Sequence, residues 1–171
     1  MESEFAAAVA RWQNFESLAG SIAATLLGLL FVAVSIRPAL FGQVEHAVFL
    51  TVAAKSMGLF MLVILIALVF QIPDIHPSSM GMTLAIMAVI SLWNTMRQLG
   101  VMRGILHEWG PLFLARRILL PALGYLLLLV ASAALYQGEI GWLPMLALAQ
   151  IVFLFTATYN AWDLLLRVGK G

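Results

Sequence analysis

A lysine inside an apolar run is the first residue in this chain that could do chemistry. Lys55 lies in the stretch from Ala47 to Ile72, well inside its ends. An ammonium group in such a setting costs several kcal/mol unless it reaches water or a partner. Partners exist elsewhere in the chain. Ser91, Asn94, Thr95 and Gln98 follow an i, i+3, i+4, i+7 spacing, which is one stripe of a helix. Thr156, Tyr159, Asn160 and Asp163 repeat that spacing. Brought to one level, the three segments make a polar layer in which Lys55 and Asp163 are the opposite charges. Such a layer suits a water-filled vestibule that admits an ion or a small polar solute. The alternative is structural: Lys55 reaches the interface, and Asp163 pairs there with Arg97 or Arg167.

The elements that would position these groups are five apolar runs, at about 18–36, 47–72, 80–99, 112–136 and 142–166. Each is near the roughly 20 residues a helix needs to cross a hydrocarbon core of about 30 Å. None alternates polar and apolar as a barrel strand would. The chain is 63% hydrophobic and 10% charged, far from the balance of a soluble domain. The expected fold is all-α: a single transmembrane domain over 1–171, with five transmembrane helices and two short interfacial amphipathic helices. The latter are Phe5 to Phe15 and Val101 to Trp109, which mix aromatic and aliphatic residues with charged ones.

Charge sets the orientation. Five spans place Arg37, Arg97, Arg103, Arg116, Arg117, Arg167 and Lys170 on one side. The other side holds Arg11 with Glu2, Glu4, Glu16, Asp74 and Glu139. Basic residues in short loops stay cytoplasmic, so the N-terminus is expected outside and the C-terminus inside. Trp12 and Trp142 then fall at the outer interface, and Trp93, Trp109 and Trp162 near the inner one, where indoles prefer to sit. The acidic start, Met1-Glu2-Ser3-Glu4, lacks the positive region of a cleaved signal peptide. Lys55 lies roughly 7–13 Å in from the cytoplasmic boundary at about 1.5 Å per residue. The outer half of the bundle is expected to be dry, and a dry constriction can gate by dewetting.

Gly20, Ala24 and Gly28 recur at intervals of four in the first run, with Ser21 and Thr25 alongside. Small residues at that spacing let helix backbones approach closely, within a monomer or between subunits, and the two hydroxyls could bond across the contact.

Other chemistries are poorly served. The chain has no cysteine, which removes disulfides, thiolate catalysis and cysteine-based metal sites. His46, His76 and His107 fall in separate loops, so no metal site and no cofactor are expected. Adjacent Lys55 and Ser56 point apart on a helix and make no nucleophile–base pair. No enzyme activity is expected. A net charge of +1, without a clustered basic face, gives no reason for a nucleic-acid partner.

The stretch from Phe15, FESLAGSIAATLLGLLFVAVSIR, resembles the first span of a family of small, uncharacterised five-span bacterial inner-membrane proteins with an AAATLxGLLFVAVS-like pattern. Asn160-Ala161-Trp162 matches the Asn-Ala-Trp segment with which that family tends to close. The resemblance implies a multi-pass protein of the bacterial inner membrane and supplies no activity. The first span is also similar, over a shorter run, to the pore-lining helix of Orai calcium channels. That family has four spans and a glutamate where this chain has Ile36, so calcium selectivity is not implied.

The residues thus lead to a homo-oligomeric channel or conduit for an ion or small solute. Lys55, Ser91, Asn94, Gln98, Thr156, Tyr159, Asn160 and Asp163 line its cytoplasmic vestibule, and Gly20, Ala24 and Gly28 pack its helices. The alternatives are an accessory protein that binds another membrane protein, and an intramembrane sensor of a small molecule or lipid. The lipid bilayer is the expected partner in every case.

Overall fold

The computed structural model describes residues 2–35, 44–102 and 111–168, with side chains for 3–35, 51–97 and 119–163. The described chain is helical: α1 (Glu2–Ser35), α2 (Val44–Val69), α3 (Pro77–Met102), α4 (Pro111–Tyr136) and α5 (Leu143–Val168). A short 3-10 turn, Ile140–Trp142, leads into α5. All five helices are long and apolar enough to cross a membrane. Pro77 and Pro111 open α3 and α4 at the first helical position, where a missing N–H costs nothing. Pro121 sits inside α4, an interruption of the hydrogen-bond ladder that its apolar run disguises.

Two turns close the end where the chain begins, here termed the near end. Asp74 takes a left-handed φ of 49° between α2 and α3. Gly138 takes φ 84° after α4, where the Gly138 and Glu139 amides bond back to Leu135 and Ala134.

One expectation changes at once. The stretch from Phe5 to Phe15 is no separate interfacial helix, since it runs unbroken into the first apolar run within α1. No glycine or proline lies between Phe5 and Ala19 to break it. Phe5, Ala8 and Val9 are buried, and Trp12 meets Phe15 edge-on at 5.7 Å. Of the other proposed amphipathic stretch, Val101 and Met102 belong to α3, and 103–109 lie outside the described residues.

α2 is the most enclosed helix: 61% of its apolar window is buried, against 17% for α1 and 22% for α3. It packs on α1 and α5, and α4 packs between α3 and α5. Close approach depends on small residues. A Cβ on Gly20 would come within 2.8 Å of the Ala67 Cβ. One on Gly81 would lie 2.5 Å from the Tyr136 backbone nitrogen, and one on Gly124 2.5 Å from the Phe153 ring. The outward faces of α1 and α3 are apolar, with Leu18, Leu29, Phe31, Val32, Ile86, Val89 and Trp93 exposed.

Candidate functional site

Helix register places the polar side chains. Gln13 Nε2 of α1 donates to the Phe70 carbonyl at 3.1 Å, Gln71 Nε2 donates to Ser17 Oγ at 3.0 Å, and Gly20 lies against Ala67. α1 and α2 are therefore antiparallel, with the first half of α1 beside the end of α2. Within that contact Glu16 is buried, 1% exposed, and accepts a 2.6 Å hydrogen bond from Gln150 Nε2 of α5. Gln150 is thus level with roughly Val69, by one-for-one counting along antiparallel helices. The same count brings Asn160 level with roughly Leu59, and Asp163 with roughly Ser56.

Lys55 is buried, 8% exposed, and Asn160 is 2% exposed. Thr156 is buried too, with its hydroxyl donating to the Val152 carbonyl at 2.7 Å. Asn160 Nδ2 has no hydrogen-bond partner among the described residues. A buried unpaired amide donor costs about 1–3 kcal/mol, so this group awaits an acceptor. By register, Lys55 and Asn160 are within about 6 Å of each other along the bundle axis, one helical turn. Asp163, level with roughly Ser56 and so with Lys55, is half-buried, and Tyr159 is 45% exposed. Buried Ser56 donates back to the Val52 carbonyl at 3.1 Å.

α3 packs chiefly on α4, and Thr95 shares a 3.0 Å hydrogen bond with the Tyr125 hydroxyl. Tyr125 in turn packs its ring on Phe153 at 5.1 Å. Asn94 is exposed and Ser91 half-buried, while the Gln98 side chain lies outside the described residues. Lys55 of α2 and Thr156 and Asn160 of α5 are thus buried on two helices that pack together, and Thr95 with Tyr125 joins α3 to α4.

The small-residue stripe divides. Gly20 is used inside the protomer, against Ala67. Ala24 and Gly28 are exposed, and nothing lies within 4 Å of a Cβ built on Gly28. Ser21 and Thr25 are exposed and donate to carbonyls of their own helix at 2.8 and 2.9 Å.

The half expected to be dry is not. Glu16 is an interior side chain rather than a surface acid, and with Gln150, Gln13, Ser17 and Gln71 it makes a second polar cluster. Gln13, Glu16, Ser17 and Gly20 follow the same i, i+3, i+4, i+7 spacing as the other stripes. That spacing was the available signal.

The chain matches no family model, no curated protein and no solved structure. What the site can do is therefore read from its own groups. Among the described residues no three His, Asp or Glu side chains come together as metal ligands would. What the interior offers is hydrogen-bonding and charge: a cation and an open amide donor in one half, a carboxyl–amide pair in the other. α5 carries Gln150, Thr156 and Asn160 along the face it buries.

Proposed function

We propose that the chain is an integral protein of the bacterial inner membrane that conducts an ion or small polar solute and works as a homo-oligomer. In this reading the N-terminus is outside, the C-terminus is cytoplasmic, and the far end of the bundle is the cytoplasmic vestibule. Lys55, Thr156, Asn160 and Asp163 bind and pass the solute there. Ser91, Asn94, Gln98 and Tyr159 belong to the mouth of the same vestibule.

The observation that carries this reading is the burial of Lys55 on α2 and Asn160 on α5, within about one turn of each other along the bundle axis. A packed apolar core gains nothing from an ammonium group and an unpaired amide donor at the same level. Groups of this kind inside a membrane bundle mark a solute path by default. The oligomer rests on α1, whose Ala24 and Gly28 leave a smooth face open to a second helix.

The test is solute flux into proteoliposomes from purified protein, with Lys55→Met and Asn160→Leu as variants. Lys55→Met keeps most of the length of the side chain and removes its charge. Flux should fall at least about tenfold, or its ion selectivity should change, with the melting temperature in detergent preserved. Wild-type vesicles that conduct no more than empty ones would refute the conduit. The second reading, a non-catalytic accessory protein, takes the same open face of α1 as the seat of another membrane protein. It expects a stoichiometric partner on gentle purification, and indifference to Lys55→Met.

A further inference from the structure

Glu16 and Gln150 are both fully enclosed, at 1% and 0% exposure, and they come from helices far apart in sequence. Gln150 Nε2 donates to Glu16 Oε2 at 2.6 Å, and Gln150 Oε1 has no hydrogen-bond partner among the described residues. An ionised carboxylate has acceptors only. With Glu16 in that form, the amide oxygen stays unsatisfied, and the carboxylate is buried with a neutral amide as partner. A buried charge so placed costs several kcal/mol.

A neutral acid removes both penalties. A carboxylic acid carries one O–H donor and one carbonyl acceptor, and a primary amide carries the complementary pair. Facing each other, they close a ring of two hydrogen bonds. The acid O–H donates to Gln150 Oε1 while Gln150 Nε2 donates to the other carboxyl oxygen. Such a ring keeps the bond already formed and gives Gln150 Oε1 the donor it lacks.

We propose that Glu16 and Gln150 form a proton-binding site between α1 and α5, with Glu16 held as a neutral acid in the packed bundle. Proton release gives hydronium in solvent and leaves a carboxylate with one hydrogen bond and an orphaned amide oxygen. Proton uptake restores the ring. The site therefore ties protonation to the seating of α1 on α5. It stands whether or not the far-end vestibule conducts.

Of the charged or titratable groups on the elements around it, Glu4 and Arg11 on α1, Asp74 and His76 beyond α2, and Glu139 ahead of α5 are exposed at the near end, while buried Lys55 on α2 and Tyr159 and Asp163 on α5 lie two or more helical turns away toward the far end. A sodium ion is the rival occupant. It would need five or six oxygens, whereas the pair supplies three, so the proton is the better fit.

The experiment is infrared difference spectroscopy of the full-length protein in lipid nanodiscs, following the carbonyl stretch of protonated carboxyl groups as pH is varied. At neutral pH wild type should show this band, shifted by deuterium exchange. Glu16→Gln should abolish it. Gln150→Leu should leave the band but move its frequency and its titration midpoint, a change that mere loss of folding would not give. The proposal is overturned if wild type lacks the band at neutral pH, if Glu16→Gln retains it, or if sodium at fixed pH removes it. None of these outcomes depends on flux, so the result is separable from that of the vesicle assay.

Discussion

Removing one member of the Glu16–Gln150 pair is worse than removing both. Gln150→Leu leaves the enclosed carboxyl group without its 2.6 Å partner, and Glu16→Leu leaves the whole amide unpaired. Each change should cost about 1–3 kcal/mol of stability, read as a lower melting temperature in detergent. The double variant should recover much of the loss, because two leucines of similar bulk bury apolar groups alone. A coupling of about 1 kcal/mol or more in this cycle confirms a paired contact, and strict additivity rejects it. At this scale the sequence was only half legible. Lys55 stood out because a charge interrupts an apolar run. Glu16 did not, because it adjoins charged and polar residues that make it look like surface, and only the approach of α5 encloses it. Gln150 is neutral and isolated in its run, so nothing in the chain advertised its partner 134 positions away.

Between elements, small residues decide who packs on whom, and they are not equivalent. Gly81 faces backbone, the Tyr136 nitrogen and the Ser132 carbonyl, which cannot step aside as a flexible side-chain tip can. Gly81→Ala should therefore push α3 off α4 and cost about 1–3 kcal/mol. Gly28→Ala meets open space and should leave the stability of the protomer unchanged. If Gly28→Leu nevertheless alters the particle mass in detergent, α1 is a subunit contact; an unchanged mass removes it from that role. The five helices were legible from run length, since apolar length is a strong signal. The neighbours of each helix were not. Periodicity shows that α3 has a polar stripe, but it does not say that Thr95 of that stripe meets Tyr125 of α4. That choice is tertiary, made where Gly81 lets α3 and α4 close up.

For the molecule as a whole, the charge asymmetry of the chain predicts a single orientation in the membrane. The absence of cysteine makes the test clean, because any introduced thiol is the sole one. Ser3→Cys, on an exposed N-terminal position, should react with an impermeant maleimide in intact spheroplasts. A cysteine appended to the C-terminus should react only after the membrane is opened. The reverse pattern would invert the proposed topology and put the vestibule on the outer side. The stagger of the helices has a separate consequence. α1 has 34 residues and the other four helices 26 each, so it is longer by about 12 Å at 1.5 Å per residue. The surplus rises at the near end, where Phe5, Ala8 and Val9 nevertheless stay covered. In the proposed bilayer setting, a rod longer than its neighbours must lean, or stand proud of the lipid, and whichever it does sets the angle at which Glu16 meets α5. Acyl-chain length thereby becomes a lever on the carboxyl–amide contact, applied from outside the protein and without touching either residue.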